Sequence, residues 1–225
     1  MKKYALIVAG GIGARMNQSV PKQFMLLAGK PVLMYSIEAF FQFSNDIHLI
    51  VVLPETLISQ WKQLCAKYNF KFVHQVVAGG KTRFHSVKNG LNVIPDEDGI
   101  VAIHDAARPL ITASLIKKLF EDTEKYGNAI PALPMKDSMR IISEKGNNPI
   151  DRSKLRIIQT PQCFNIKIIK QAFIQQYRDE FTDDATVIES EGHSIHLTDG
   201  DENNIKITTL ADLNYLESIL LLKNL

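Results

Sequence analysis

The segment YALIVAGGIGARM, residues 4–16, decides the predicted fold because it joins a short apolar run to a glycine-rich loop. The run YALIVA is typical of a strand buried on both faces. The loop carries three glycines, Gly10, Gly11 and Gly13. Glycine lacks a Cβ and permits positive φ, so the backbone can approach a ligand closely. With Arg15 and Lys22 on the same connection, the loop favours a polyphosphate ligand, and a plain tight turn with solvated cations is the alternative.

Short apolar runs continue to alternate with amphipathic stretches outward from this segment. The runs predict strands over residues 4–9, 48–54, 71–77, 99–105 and 128–134. The amphipathic stretches predict helices over residues 31–43, 55–68, 82–94 and 112–127. Strict alternation of strand and helix produces a mainly parallel sheet with helices on both faces. The predicted fold is a Rossmann-like three-layer α/β fold, whose ligands bind at the carboxyl ends of the strands.

The segment 135–158 differs from this pattern and predicts a projecting β-hairpin arm. Apolar and polar residues alternate around the turn sequence EKGNNP, and no helix is available to cover them. Five apolar side chains would face water: Ile141, Ile142, Ile150, Leu155 and Ile157. Pairing with the arm of a second copy would bury them, so we expect a homodimer. Packing of the arm against its own domain is the alternative.

Regular structure resumes after the arm. The sequence predicts helices over residues 165–177, 182–190 and 209–225 and a strand over residues 194–198. The last helix has a capping-box spacing between Thr209 and Asp212. Its apolar stripe consists of Leu210, Leu213, Leu216 and Leu220. Because no linker or repeat interrupts residues 1–225, we interpret the chain as one domain carrying the arm.

Composition excludes several classes of protein. The 225 residues are 45% hydrophobic with a net charge of +2, and no polybasic segment offers a surface to nucleic acid or an anionic membrane. No segment approaches the roughly 20 apolar residues that cross a bilayer. The cysteines, Cys65 and Cys163, lack disulfide or zinc spacing, which favours a reducing cytoplasm.

Two familiar phosphate-binding motifs are absent. A G-x-G-x-x-G fingerprint placed on Gly11 and Gly13 needs glycine where Met16 stands. A Walker A motif ending in the GGKT of residues 79–82 needs glycine where Gln75 stands. The sequence therefore predicts neither the usual nicotinamide site nor a P-loop.

Three further positions point to phosphate chemistry. Asp105 ends an apolar strand at the predicted ligand-binding edge, where a carboxylate beside phosphates suits Mg²⁺. Alternatively, Asp105 caps the next turn and pairs with Arg108. His104 is interpreted as structural. Lys206, in a predicted short strand, suits either a phosphate or a solvated strand edge. The segment AGGKTRFHSV, residues 78–87, enters a helix whose N–H groups could bind a ligand oxygen, and capping by Thr82 is compatible with that role.

A set of motifs in chain order resembles a known enzyme family. The motifs are VAGGIGARM, PKQF, HDAARP, KDSMR, DR, TPQCF, TDDA and NIKIT. Together they resemble the 2-C-methyl-D-erythritol 4-phosphate cytidylyltransferases from end to end, and HDAARP with NIKIT is the most specific pair. The resemblance implies a nucleotidyltransferase fold and attack of the 4-phosphate of methylerythritol phosphate on the α-phosphorus of CTP, releasing pyrophosphate. Because that nucleophile is already an anion, catalysis needs positioning and charge neutralisation rather than a general base.

The resemblance also implies roles for individual residues. The catalytic cations would be Arg15, Lys22 and Lys206. Nucleotide binding would fall to Ala9, Gly10, Gly11, Gly13, Gly79, Gly80, Ser86 and Ala106. Acceptor binding would involve Ser138, Arg152, Asp105 and Arg108, with Ser138 and Arg152 supplied by an arm exchanged between subunits, and Asp105 would also hold Mg²⁺.

The sequence departs from the family pattern at two positions. Ser138 stands where threonine is more frequent, and it keeps the hydroxyl. Lys81 stands where an acidic residue is common, so a carboxylate contact to the nucleotide does not carry over. A ribitol-5-phosphate cytidylyltransferase and a non-catalytic CTP-binding relative are the alternatives, and HDAARP, TDDA and the arm favour methylerythritol phosphate.

Overall fold

A computed structural model describes residues 1–10, 20–95 and 98–223 of the chain. The strands are β1 (Lys2–Val8), β2 (Leu26–Leu27), β3 (Lys30–Pro31), β4 (His48–Leu53), β5 (Gln75–Ala78), β6 (Gly99–Asp105), β7 (Asn128–Pro134), β8 (Met139–Ser143), β9 (Gly146–Ile150), β10 (Arg156–Ile158), β11 (Gln162–Asn165) and β12 (Leu197–Asp199). The helices are α1 (Val32–Phe43), α2 (Glu55–Lys67), α3 (Arg83–Asn92), α4 (Ala113–Tyr126), α5 (Ile166–Ala172), α6 (Asp184–Glu189) and α7 (Leu210–Lys223). Two 3₁₀ turns span Lys22–Phe24 and Arg152–Lys154.

The central sheet has eight strands among the described residues, in the order β10-β7-β11-β6-β1-β4-β5, with β12 also paired to β7. Parallel pairing joins β1 to β4 and β6, and β4 to β5. Because β11 runs antiparallel between β6 and β7, those two strands share a direction. β12 is parallel to β7, and β10 is antiparallel to it. The mainly parallel sheet is confirmed, and β1, β4 and β6 end at the same edge.

Helices cover both faces of this sheet. Along β1, Ala5 and Ile7 pack into one core with α1, α2 and α4. The alternate residues of β1, including Leu6, pack into a second core with α3, α5 and α6. Successive side chains of a strand point to opposite faces, so a strand that is apolar throughout is suited to the middle layer. The predicted three-layer arrangement is confirmed.

Several elements are shorter than predicted: the strand predicted over residues 194–198 begins only at Leu197, and one strand and one helix lose more residues. The strand predicted over residues 71–77 begins only at Gln75, because His74 turns back toward α2 and accepts a hydrogen bond from the Trp61 indole at 2.9 Å. The helix predicted over residues 165–177 ends at Ala172, whose carbonyl accepts a hydrogen bond from the Gln175 side chain at 2.8 Å. Side-chain contacts outside each element set both boundaries.

The predicted start of the last helix is confirmed. The Asp212 N–H donates to the Thr209 hydroxyl at 3.2 Å, and the Thr209 N–H donates to the Asp212 carboxylate at 2.7 Å. The apolar stripe is only partly correct, because Leu213 and Leu216 are buried whereas Leu210 is 44% exposed. The helix buries its stripe against Leu27 and Val32 rather than against the central sheet.

The arm is a two-stranded hairpin of β8 and β9, paired from Met139 opposite Ile150 to Ser143 opposite Gly146. Every residue of both strands is exposed. β10, which the sequence placed in the arm, instead pairs with β7 at the edge of the central sheet. The isolated part of the arm is therefore shorter than residues 135–158.

Across the described ranges, no helix is both long and apolar enough to span a membrane.

Candidate active site

A cavity lies at the sheet edge where β1 and β6 end. The Ala106 N–H donates to the Val8 carbonyl at 3.0 Å, and the Ala9 N–H donates to the Val52 carbonyl at 2.8 Å. These bonds continue the parallel pairing past the strand ends and fix the floor of the cavity. Asp105, the last residue of β6, stands beside this floor. The edge is the one at which ligands of parallel α/β sheets bind.

The cavity has a volume of about 220 Å³ as bounded by the described residues. Its lining consists of Val8, Ala9, Gly10, Lys22, Gln23, Gly80, Lys81, Thr82, Arg83, Ser86, Asp105, Ala106, Ala107 and Lys206. Eight residues predicted from the sequence are among them: Ala9, Gly10, Lys22, Gly80, Ser86, Asp105, Ala106 and Lys206. Residues more than 190 positions apart in the chain thus meet at one site, and its described lining carries four basic side chains and one carboxylate.

The loop before α3 is shaped around Ser86. The Ser86 hydroxyl accepts from the Gly80 N–H at 3.1 Å and donates to the Thr82 carbonyl at 3.0 Å. A Cβ on Gly80 would lie 2.4 Å from the Cβ of His85, so only glycine fits there. Thr82 caps α3 by accepting from the His85 N–H. Gly79 precedes the lining residue Gly80, and a Cβ on Gly79 would lie 3.0 Å from the Ser86 hydroxyl oxygen.

Asp105 is shared by two cations. Its Oδ2 accepts from the Lys206 ammonium at 2.6 Å, and its Oδ1 accepts from the Arg83 Nε at 3.2 Å. Burial alone would raise the pKa of the Asp105 carboxyl, and the positive charges of Arg83 and Lys206 outweigh burial and hold that pKa well below its ordinary range. Asp105 is therefore an anion at the cavity wall, with Lys206 held against it.

Arg83 is in turn held by Asp184, at the start of α6. Two guanidinium nitrogens of Arg83 donate to the two Asp184 oxygens at 2.7 and 2.6 Å. Asp184 belongs to the TDDA motif and Arg83 to the segment 78–87, but the sequence predicted no role for either residue. An arginine and a buried acidic residue 101 positions apart leave no local pattern in a sequence.

Lys206 does not lie in a strand, contrary to the prediction. The segment around it is tied down by single hydrogen bonds instead: the Ile207 N–H donates to the Ala107 carbonyl at 2.8 Å. The Asn204 carbonyl accepts from Arg108 at 2.7 Å, and the Asn204 amide donates to the Thr160 carbonyl at 2.8 Å. The alternating Ile205 and Ile207 of NIKIT pack into the apolar cluster around α7, and they do not belong to a strand.

His104 and Arg108 support the site from below. Burial lowers the pKa of His104 to about 4, and its ring nitrogens lie 3.2 Å from the Thr160 hydroxyl and 3.1 Å from the Arg108 carbonyl. The interpretation of His104 as structural agrees with this. Arg108 is 9% exposed and donates to backbone carbonyls, outside the cavity lining. Its predicted contact with the acceptor stays a prediction.

Two other predicted site residues, Ser138 and Arg152, lie outside the described lining of this cavity. Ser138 and Arg152 lie on the exposed arm, where Arg152 donates to the Lys136 carbonyl. Gly11, Gly13 and Arg15 lie outside the described residues. Within the described ranges, no group of three or more His, Cys, Asp or Glu side chains could hold a metal ion, so Asp105 stands as a single candidate ligand.

The parallel sheet, the glycines Gly10 and Gly80 at the cavity and the clustered cations at the strand ends are typical of a nucleotide-binding α/β transferase. The sequence matches the profile of the 2-C-methyl-D-erythritol 4-phosphate cytidylyltransferase family over residues 4–221. The chain belongs to this family, and it is an enzyme of the nucleotidyltransferase class.

Individual relatives support this assignment. The 2-C-methyl-D-erythritol 4-phosphate cytidylyltransferase of Porphyromonas gingivalis is 45% identical over 97% of this chain and 98% of the relative. Among solved structures, the 4-diphosphocytidyl-2C-methyl-D-erythritol synthase from Anaerococcus prevotii is similar to this chain, with a TM-score of 0.83 and 25% sequence identity. The match covers 98% of this chain and 96% of that one. A bifunctional enzyme from Campylobacter jejuni is 31% identical with a TM-score of 0.82, and this chain spans 54% of its length.

Proposed function

We propose that this protein transfers the cytidylyl group of CTP to 2-C-methyl-D-erythritol 4-phosphate, giving 4-diphosphocytidyl-2-C-methyl-D-erythritol and pyrophosphate. The single observation that carries the proposal is the cavity at the strand ends, where Lys22 and Lys206 line the same space as Gly10, Gly80 and the Asp105 carboxylate. Family membership supplies the identity of the two substrates. An acceptor phosphate is already an anion and needs no base, and none of the described lining residues is a histidine.

In this mechanism the phosphate oxygen of the acceptor attacks the α-phosphorus of CTP, and the bond to the β-phosphate breaks. Negative charge accumulates on the oxygens around the α-phosphorus and on the departing pyrophosphate. Lys22 and Lys206 neutralise that charge, and the N–H groups of the glycine loop bind the nucleotide. The Lys206 side chain is 40% exposed, so its ammonium can face the phosphates while it keeps its contact with Asp105.

Mg²⁺ is the proposed cofactor, with Asp105 as its protein ligand. The donor chemistry fits, because a hard divalent cation prefers carboxylate and phosphate oxygens and is commonly held by one or two carboxylates. Asp105 is ionised and reaches the cavity, while most ligands would come from the triphosphate. When bound, the ion would neutralise phosphate charge and orient the triphosphate.

The arm is proposed to join two copies into a homodimer and to carry Ser138 and Arg152 to the acceptor site of the other subunit. Met139, Ile141 and Ile150 share one face of the hairpin and are 37%, 58% and 38% exposed, which favours burial of that face against a partner. Neither Ser138 nor Arg152 is among the lining residues of its own cavity. A second copy is therefore the means by which these residues would reach a site. We place the enzyme in the cytoplasm on the basis of its cysteine usage.

The test is pyrophosphate release by the purified protein with CTP and Mg²⁺. Methylerythritol 4-phosphate and ribitol 5-phosphate serve as parallel acceptors, and ATP replaces CTP in a nucleotide control. Release with methylerythritol 4-phosphate and CTP is expected. Pyrophosphate release with ribitol 5-phosphate alone would mean that the acceptor is ribitol 5-phosphate. No release with either acceptor, in a protein that binds CTP, would favour a non-catalytic CTP-binding relative.

A further inference from the structure

We propose that Asp184, which lies outside the cavity lining, is a positioning residue for cytidylyl transfer and acts through Arg83 on the carboxylate at the end of β6. The inference rests on the proposed function because it concerns the same site. The observation that carries it is a row of alternating charges, in which each side chain contacts the next: Asp184, Arg83, Asp105 and Lys206.

Helix capping does not explain why an acidic side chain is buried at position 184. The N-cap of α6 is Asp183, which accepts from the Thr186 N–H at 3.0 Å and completes a capping box with that threonine. Asp184 is only 1% exposed, and its two oxygens accept from two nitrogens of one guanidinium. The side chain is thus committed to Arg83 and not to the end of its own helix.

Stability is also a weak reason to bury such a pair. Removing a carboxylate and a guanidinium from water is costly, and well-packed apolar side chains often hold two helices together equally well. An apolar pair cannot fix the plane of a guanidinium, whereas a two-point contact with a carboxylate does. The geometry therefore serves orientation.

The fixed guanidinium leaves one nitrogen for the active site. With both terminal nitrogens on Asp184, the Nε of Arg83 donates to Asp105 Oδ1 at 3.2 Å. This contact sets the plane of the Asp105 carboxylate, so that Oδ2 faces the ammonium of Lys206 at 2.6 Å. Asp184, at the buried start of α6, therefore fixes the orientation of Lys206 at the cavity wall through Arg83 and Asp105.

Loss of the Asp184 charge would release this arrangement. Arg83 is 30% exposed and lines the cavity, so its terminal nitrogens could turn toward Asp105. Arg83 would then compete with Lys206 for the same carboxylate. Lys206 would lose its defined position relative to the reacting phosphate, and displacements of about 1 Å can cost about a hundredfold in rate.

The experiment compares Asp184→Asn with the wild type in the pyrophosphate-release assay. We expect kcat to fall by about 10- to 100-fold, with the KM for CTP within about threefold of the wild type, because the lost interaction acts on the transition state. Arg83→Lys keeps the charge but cannot form the two-point contact, and it should show the same loss of kcat. Because an unfolded fraction lowers the apparent kcat without changing KM, kcat is calculated per folded protein, with the folded fraction measured by circular dichroism.

Asp183→Ala is the matched control. It removes the cap of the same helix and the contact from the Gln162 amide at 2.8 Å, but Asp183 does not touch Arg83. We expect a lower melting temperature and a kcat within about twofold of the wild type. An equal loss of kcat in Asp183→Ala and Asp184→Asn would overturn the proposal, because packing of α6 alone would then explain both.

The remaining outcomes are also decisive. Wild-type kcat in folded Asp184→Asn overturns the positioning role. If Asp184→Asn fails to fold, Arg83→Lys decides: wild-type kcat would mean that charge alone suffices and would overturn the proposal. An inactive wild type contradicts the proposed function itself, so the two failures are distinguishable.

Discussion

The cavity and the arm are built in opposite ways. In the cavity wall, Lys206 contacts Asp105 across 101 positions of sequence, and Asp105 is nearly buried. In the arm, the paired residues Ser143 and Gly146 are three positions apart, and every strand residue is exposed. The cavity brings its charged contacts together within one chain, whereas the arm leaves apolar side chains in water. The cavity should therefore respond to changes in single charges, and the arm to changes in association.

The largest effect is expected from removal of the cavity cation in Lys206→Ala. The ammonium neutralises charge that develops only in the transition state, so kcat should fall by about 10²- to 10³-fold while CTP affinity changes much less. Pyrophosphate release gives kcat, and calorimetric titration with CTP gives the affinity. Lys22→Ala should likewise lower kcat far more than it weakens CTP binding.

The control is Lys118→Ala, which removes an exposed cation that pairs with Asp199 at 3.4 Å, away from the cavity. Its kcat should match the wild type. Near-normal turnover in Lys206→Ala would remove this lysine from the mechanism, and the cavity would no longer be the charge-sensitive region.

The next effect concerns association through the arm. Met139, Ile141 and Ile150 share one face of the hairpin, because Met139 pairs with Ile150 and side chains alternate along each strand. A lysine at position 141 would place a charge in the proposed interface. We expect Ile141→Lys to weaken the dimer by at least about a hundredfold in dissociation constant. Sedimentation equilibrium at several concentrations measures this constant.

Ile142→Lys is the matched control, since Ile142 lies on the opposite face of the same strand. It should weaken association less than Ile141→Lys. A wild-type protein that is monomeric at assay concentrations would contradict the dimer and leave the arm as a feature of one chain.

A smaller effect is expected for Arg152→Ala. Arg152 is exposed at the base of the arm, and its proposed role is to bind the acceptor phosphate of the other subunit. Loss of one charge-assisted contact should raise the KM for methylerythritol 4-phosphate by about 10-fold or more. The KM for CTP should stay close to the wild-type value. Arg140→Ala, in the same arm, provides the control, and an unchanged acceptor KM in Arg152→Ala would exclude a phosphate role.

The sequence predicted the cavity better than the contacts within it. The residues at strand ends, such as Gly10 and Asp105, could be predicted because apolar runs end there and parallel strands end at one edge. The pairing of Arg83 with Asp184 could not be predicted, since it depends on how the tertiary fold brings the start of α3 to the start of α6. The missing strand at Lys206 has the same origin, because anchoring bonds to Ala107 and Asn204 leave no sequence period.

The fold shows the same division. Strands with a strong apolar run, such as β6 and β7, match their predicted bounds. The start of β5 does not, because His74 is diverted by its hydrogen bond to Trp61. Local pattern therefore determines which elements form, and tertiary contacts determine where weakly patterned ones end.

The smallest effect is expected where the two regions touch within one chain. Lys136, between β7 and the arm, pairs with Glu202 in the loop that leads to Lys206, and the side chains are 68% and 65% exposed. Exposed pairs contribute only about 0–1 kcal/mol because water and salt screen them. Glu202→Gln, Lys136→Met and the double variant form a cycle in which kcat should stay within about twofold of the wild type and the coupling in unfolding free energy should not exceed about 1 kcal/mol. A tenfold loss of kcat in Glu202→Gln would show that the arm acts on the cavity through its own chain, and the division between the two regions would fail.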